Sequence, residues 1–384
     1  MANPRLDFLF FDAGGGHRAA ATALEAQIQK EQRPWDVRLV DLNDVLVKTD
    51  AFKKLTGYGL EDIYNLILER GWTLGSAQML PLMQFAIRCF HGQQVRLMEE
   101  YWRGNAPDMA VSLVPNFNRA LFEALRRVTP AAPYVSILTD LADYPPHFWI
   151  ERGQDQYFIC GSPKAVAQAK ALGHPPQRIF ATSGMILRPT FYDVPLIDRL
   201  AERAKLGLAP DVPTGVVLFG GHGAPVMADI VRRLQPMAGK LQLILLCGHN
   251  EKLATRLRAT SGSLRMHVEG FTREVPRFMQ MADFMIGKPG PGSVSEAIHM
   301  GLPVIVERNA WTLPQERYNA DWLTEQGLGM VLPSFRQVDK AVSELLQPGA
   351  LGRYQARAGG IRNRAIFEIP VILQKLLETG AKAG

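Results

Sequence analysis

Lys288-Pro289-Gly290-Pro291-Gly292-Ser293-Val294-Ser295-Glu296, running on through Ala297-Ile298-His299-Met300-Gly301-Leu302-Pro303, decides how this chain is read. The pattern predicts a glycine-rich turn, a short helix opening at Ser293, and a new strand at Val304-Ile305-Val306. Such a turn lets backbone N–H groups approach phosphate oxygens at a helix N-terminus, where the helix dipole also favours negative charge. A carboxylate one turn into that helix would repel a phosphate but suits the two hydroxyls of a ribose beside it. Glu296 is therefore either a sugar ligand or an exposed first-turn acid that complements the dipole.

A second glycine loop lies near the start of the chain. Residues 6–11 form a mostly apolar run of strand length, which breaks into Asp12-Ala13-Gly14-Gly15-Gly16-His17-Arg18 before an alanine-rich helix over 19–29. Three consecutive glycines followed by a histidine do not make the spaced fingerprint of dinucleotide binding, and no Walker-type lysine follows.

Outward from these two loops the chain alternates strand-like and helix-like segments, an α/β pattern that argues for parallel sheets covered by helices. Residues 6–11, 37–42, 109–114, 134–138, 156–160 and 178–181 are the candidate strands of a first domain, and 215–219, 241–246, 264–268, 284–286, 303–306 and 329–332 those of a second. At 384 residues each half is large enough to bury its own core. The expectation is two Rossmann-like domains facing a cleft, with both glycine loops at the carboxyl ends of strands, where ligands of such sheets bind.

Composition narrows the function. Hydrophobic content of 47% with 21% charged residues is ordinary for a soluble globular protein. No stretch approaches the roughly 20 apolar residues needed to span a bilayer, and residues 1–5 with one short strand do not resemble a signal peptide, so a cytoplasmic location is expected. Cys89, Cys160 and Cys247 are odd in number, far apart and without metal-ligand spacing, and are read as reduced core residues. A net charge of +6 favours an anionic partner such as a membrane surface. Nucleic acid is the weaker choice, because there is no basic block and no RNA-binding signature.

Taken in order, several motifs carry a resemblance. They are Gly14-Gly15-Gly16-His17-Arg18, Thr139-Asp140 with Pro146 and Trp149, Tyr157-Phe158-Ile159-Cys160, and Ser183-Gly184-Met185-Ile186-Leu187-Arg188-Pro189. After them come Gly220-Gly221-His222-Gly223, Cys247-Gly248-His249-Asn250-Glu251-Lys252-Leu253, Gly270-Phe271, the 290–303 segment, and Pro314-Gln315-Glu316 with Asn319. This ordered set resembles the glycosyltransferase family of the monogalactosyl- and monoglucosyl-diacylglycerol synthases, to which the enzyme that adds N-acetylglucosamine to lipid I is a more distant relative.

The resemblance implies a GT-B fold. Residues 1–185 would form an acceptor- and membrane-binding domain on which a C-terminal helix, 362–384, packs back, and residues 186–361 a nucleotide-sugar donor domain. It implies an inverting transfer of a hexose from a UDP-sugar to the hydroxyl of a diacylglycerol-type lipid, with UDP-hexose and the lipid as partners and no cofactor or metal required. Carried over by residue, Phe271 holds the uracil, Glu296 the ribose, Gln315 and Glu316 the hexose hydroxyls, and Asn319 supports their loop. Taken from the residues alone, Phe271 is equally a core aromatic, and Gln315 to Asn319 equally the start of a surface helix after Pro314. His17 is the candidate base, or else a phosphate ligand or helix cap; Asp140 or Asp143 is an alternative base or orients His17. Backbone donors at Gly15, Gly16, Gly221, His222 and Gly223, with the helix opening near Gly292 and Ser293, would stabilise the departing diphosphate.

Between 45 and 103 aromatic and methionine residues are interleaved with cations, among them Phe52, Tyr58, Trp72, Met83, Phe85 and Arg88. The segment is read as the face by which the protein lies, peripherally, on the cytoplasmic side of the cell membrane; the plain alternative is a set of helices closing over the first core. Two other functions fit the same scaffold: a UDP-sugar epimerase, and a non-catalytic nucleotide-sugar or glycolipid-binding protein. In place of the glutamate usual after the glycine pair in plant-type synthases the chain has His222, and Pro314 replaces the glycine usual before Gln-Glu.

Overall fold

The computed structural model describes residues 3–12, 15–46, 84–85 and 87–380. Internal packing divides the chain into two compact units, Met1–Pro189 with Leu313–Gln315 and Asn363–Gly384, and Thr190–Thr312 with Glu316–Arg362.

The first unit runs β1 (Arg5–Phe10), α1 (Gly16–Lys30), β2 (Asp36–Asp41), α2 (Leu42–Leu46), α3 (His91–Arg103), β3 (Met109–Ser112), α4 (Asn118–Val128), β4 (Tyr134–Ile137), β5 (Tyr157–Cys160), α5 (Pro163–Ala171) and β6 (Ile179–Ala181). Its six strands are all parallel, in the order β2-β1-β3-β4-β5-β6. β3 and β4 are buried at every residue, which is why they read as short unbroken apolar runs without alternation. Asp7, fully buried in β1, accepts Trp102 Nε1 at 2.8 Å and Arg38 Nε at 2.6 Å, and so ties α3 and β2 to the strand between them.

The second unit runs α6 (Arg199–Lys205), β7 (Thr214–Leu218), α7 (Val226–Leu234), β8 (Gln242–Leu246), α8 (Glu251–Arg258), β9 (Met266–Glu269), α9 (Val275–Met281), β10 (Phe284–Gly287), α10 (Pro291–His299), β11 (Val304–Glu307), α11 (Pro314–Gln326, from Glu316 onward), β12 (Gly329–Leu332), α12 (Val338–Leu345) and α13 (Ala350–Gly359). The sheet order is β12-β11-β10-β7-β8-β9, again all parallel. It is the doubly wound Rossmann order, and its switch point falls between β7 and β10. Gly215 in β7 is bare because a Cβ there would stand 2.8 Å from the Phe284 ring of β10. The two sheets together make the α/β fold of the GT-B class.

The last helix, α14 (Ala365–Gly380), belongs to the first unit and packs on α1. Its entry is pinned by Ser183: the Ser183 amide donates to Glu368 Oε2 at 2.7 Å, and Ser183 Oγ accepts the Arg364 amide at 2.7 Å. Pro370 lies inside this helix, which begins at Ala365 and continues through it. Pro370 lacks an amide proton, yet Ile366, Ile369, Leu373 and Leu376 form one buried stripe spanning it, and that burial outweighs one missing hydrogen bond. α1 likewise starts at Gly16, three residues ahead of expectation, since left-handed Gly15 (φ 75°) ends the turn there. Cys160 and Cys247 are buried, whereas Cys89 is exposed and is not a core residue; Ile87 takes the inward position of that turn.

In the second unit Arg203, 5% exposed, donates from Nε to the Met281 carbonyl (2.8 Å), from Nη1 to that of Pro210 (2.9 Å), and from Nη2 to Asp283 Oδ2 (2.7 Å). Asp283 also accepts the Thr214 amide at 2.8 Å, so one ion pair aligns the starts of β7 and β10. Arg203→Met should lower stability by about 2 kcal/mol by leaving the carbonyls that Arg203 satisfies without their donor, while Asp283 keeps Arg199 at 2.7 Å as a second partner. The measurement is the urea midpoint; a change within about 0.5 kcal/mol, ordinary for surface substitutions, would show that the pair does not hold the strands together.

Candidate active site

In the first unit the turn after β1 brings His17 to the head of α1. The ring is half-buried: Nδ1 lies 3.0 Å from Thr139 Oγ1, just beyond β4, and the ring meets the edge of Trp149 with centroids 5.8 Å apart. Burial pushes the His17 pKa down to about 4, opposed by a hydrogen bond with the Leu113 backbone. The imidazole is therefore neutral at pH 7, and burial resists its protonation. Arg18 beside it pairs with Asp12 at 3.2 Å and with Asp41 at 3.5 Å.

The two acids singled out in sequence support this corner from behind. Asp140, 6% exposed, accepts the Trp149 indole N–H at 2.9 Å and so fixes the ring that packs on His17. Asp143 accepts the backbone amides of Trp149 (2.6 Å) and His147 (3.1 Å); burial pushes its pKa up, against those two hydrogen bonds. Thr139, quoted in the sequence only as the neighbour of Asp140, is the residue that touches His17. Its place at a strand end, one position before a buried acid, was the available signal.

In the second unit the loops after β7, β8, β9 and β10 gather at the carboxyl edge of the sheet around the switch point. Gly220 (φ 76°) and Gly223 (φ 56°) bracket Gly221 and His222. Gly248 must also be glycine: it has φ 58°, and a Cβ would fall 2.0 Å from the Gly221 carbonyl oxygen, which accepts the His249 amide at 2.8 Å. Two loops are thereby laced together. His249 stacks on Phe271, with centroids 4.0 Å apart and planes 20° apart, and lies 5.9 Å from His222. Phe271 is 54% exposed, so it is a surface platform and not a core aromatic. His249 stood in a quoted motif without a role; only the fold shows that it backs Phe271.

The helix of the opening motif, α10, begins at Pro291, two residues before the expected Ser293, because proline suits the first helical position. Gly290 caps it without a side-chain hydrogen bond, Gly292 and Ser293 lie in its first turn, and the Ser293 hydroxyl donates to the Gly290 carbonyl at 3.4 Å. Glu296 consequently sits in the second turn, half-buried, rather than as an exposed first-turn acid. α11 carries Gln315 and Glu316 in its first turn; Glu316 is 8% exposed and Asn319 fully buried, so this face of the helix is not surface. Asn319 Nδ2 donates to the Pro289 carbonyl at 2.8 Å and holds the turn before α10. Lys288 Nζ lies 3.2 Å from Glu316 Oε1.

Of the membrane-face residues, Phe85 and Arg88 are exposed, beside exposed Phe90, while Phe52, Tyr58, Trp72 and Met83 lie outside the described residues. Among the described residues no helix is long and apolar enough to cross a membrane, and no group of three or more His, Cys, Asp or Glu is placed to hold a metal ion.

Two six-stranded parallel sheets, each with glycine turns at its carboxyl edge, make the GT-B fold, and residues 215–358 match the glycosyltransferase family 28 C-terminal domain. The chain is similar along 97% of its length, at 26% identity, to a probable monogalactosyldiacylglycerol synthase 2 of Oryza sativa subsp. indica, covering 81% of that protein. The resemblance read from motif order thus extends over nearly the whole chain. Among solved structures, Acinetobacter baumannii MurG aligns with a TM-score of 0.60 at 13% identity, over 97% of this chain and 99% of that one. An S. aureus MnaA–UDP structure aligns with a TM-score of 0.61 at 16% identity, over 98% and 97%.

Because the folded pKa of His17 lies below that of an unfolded histidine, the ring's contribution to stability is complete above about pH 6.5 and is lost as pH falls toward 4. Two-dimensional NMR should find the His17 ring titrating near pH 4, and His17→Gln should flatten the pH dependence of stability between about 6.5 and 4. A midpoint near 6.5 would show that the pocket does not keep the ring neutral.

Proposed function

We propose that the protein is an inverting UDP-hexose:diacylglycerol hexosyltransferase, moving a hexose from a UDP-sugar to the hydroxyl of a diacylglycerol-type lipid and so making a glycolipid. The observation that carries this reading is the imidazole of His17, braced by Thr139 and Trp149 at a helix start, in the position of a general base for an acceptor hydroxyl. In a single displacement the acceptor oxygen bonds to the anomeric carbon, its proton passes to His17, and the bond from that carbon to the β-phosphate oxygen breaks on the opposite face.

The second unit binds the donor. Phe271, backed by His249, takes the uracil, and Glu296 the ribose hydroxyls. The diphosphate lies over Gly221, His222 and Gly223 and at the start of α10 by Gly292 and Ser293. Gln315 and Glu316 accept from the hexose, while Asn319 keeps their loop in place. These donors stabilise the leaving charge without a metal ion. The lipid acceptor is supported by the name of the rice relative, and the UDP donor by a neighbour of the same fold solved with UDP. Exposed Phe85 and Phe90 around Arg88, on a chain of net charge +6, suit an anionic membrane surface on the cytoplasmic side.

Incubated with UDP-galactose or UDP-glucose and diacylglycerol vesicles, the protein should release UDP and form a glycolipid detectable by mass. His17→Ala should lower kcat by about 100-fold or more at nearly unchanged donor KM, whereas Glu296→Ala should chiefly raise donor KM, by about 10-fold. A free UDP-linked epimer as product, or no turnover with any lipid acceptor, would contradict the assignment.

A further inference from the structure

Lys288 opens the motif that decides the fold, yet none of the donor contacts above uses it. It is the first residue after β10, the strand paired with β7 at the switch point of the second sheet. Its stem lies over two bare glycines from different loops: Lys288 Cε would be 3.8 Å from a Cβ on Gly220 and 3.3 Å from one on Gly290. Around that same Gly290 position Glu316 Oε1 and Ser293 Oγ each stand at 3.5 Å. Segments following β7, β10 and β11 thus converge on one spot, with an ammonium at its centre. The pair is unequal: the Lys288 side chain is 41% exposed and that of Glu316 10%, so the cation faces solvent while the carboxylate is held by the fold.

We propose that Lys288 is the cationic ligand of the donor diphosphate and that Glu316 is its counter-ion in the free protein. Donor binding then exchanges carboxylate for phosphate on Lys288, and Glu316 becomes available to the hexose hydroxyls. The inference rests on the donor site proposed above and adds the residue that joins its phosphate and hexose ends. A phosphate oxygen forms a charge-assisted hydrogen bond with an ammonium, and a diphosphate carries more charge than the single carboxylate it displaces. Lys288 needs only a rotation of its exposed stem to reach an anion lying over Gly220 and Gly290. The carboxylate it leaves is buried and needs new donors, which sugar hydroxyls supply. The exchange also places positive charge beside the oxygen that departs with the β-phosphate, where negative charge grows as the glycosidic bond breaks.

The test is calorimetric binding of UDP, UMP and uridine to the full chain, with Lys288→Met, Lys288→Arg and Glu316→Gln compared. Lys288→Met should weaken UDP by about 10- to 100-fold and leave uridine unchanged, and Lys288→Arg should keep most of the affinity. Glu316→Gln should tighten UDP a few-fold, because the competing carboxylate is gone, while lowering kcat with a UDP-hexose. That opposite sign separates an exchange from a pair that merely braces the turn. Equal UDP affinity in wild type and Lys288→Met overturns the proposal, as does parallel weakening by Lys288→Met and Glu316→Gln. A wild-type protein that binds none of the three nucleosides or nucleotides removes the donor site itself, a different failure.

Discussion

Burial of both sheets on both faces is the constraint from which the remaining structure follows. A parallel strand covered by helices on each side must consist of short apolar runs, and every strand must reach its neighbour through a crossover. All strand ends of one polarity therefore collect at one edge, and the turns there have no partner strands to satisfy their amides. In the first unit that edge carries Gly15, Gly16 and His17; in the second it carries Gly220 to Gly223, Gly248 and the turn before α10. Glycine is required at Gly248, where a neighbouring carbonyl occupies the space of a side chain, and the same closeness leaves the backbone bare to a ligand. Polar anchors sit at the opposite edge: Asp7 with Trp102 and Arg38, and Asp283 with Arg203, hold the strand starts in line.

The electrostatics of the two edges differ in a way that suits transfer. His17 is kept uncharged by its surroundings, and its orientation is set by a hydroxyl and an indole rather than by a carboxylate. Asp140 acts at one remove, by fixing the indole. The edge of the second unit presents uncapped amides of α10, two neighbouring imidazoles and Lys288 with its glutamate, a set matched to negative charge.

The strands were legible in the sequence because burial makes the central ones mostly apolar and even the partly exposed edge strands keep Val, Ile, Leu, Phe or Met, and all twelve expected strands appear within a residue or two of expectation. Helix starts were less legible. Proline at 291 and left-handed Gly15 begin helices that hydrophobic periodicity alone places two or three residues later. Proline commonly ends a helix, yet the apolar stripe of α14 carries the helix through Pro370. Within the site, residues marked by a motif could be named, whereas those defined by contacts across loops could not: Thr139 on His17, His249 beneath Phe271, and Lys288 against Glu316 join segments 28 or 122 positions apart, or meet only by stacking. Cys89 shows the converse, since a cysteine's usual preference for burial is not met there, while Ile87 nearby is buried.

The account stands on where a uridine diphosphate sits. A crystal structure with UDP bound should place the uracil on Phe271, the ribose hydroxyls within hydrogen-bond reach of Glu296, and the diphosphate over Gly220 to Gly223 at the Pro291 end of α10. UDP held instead at the Gly15-Gly16 turn, with Glu296 making no contact, would contradict it.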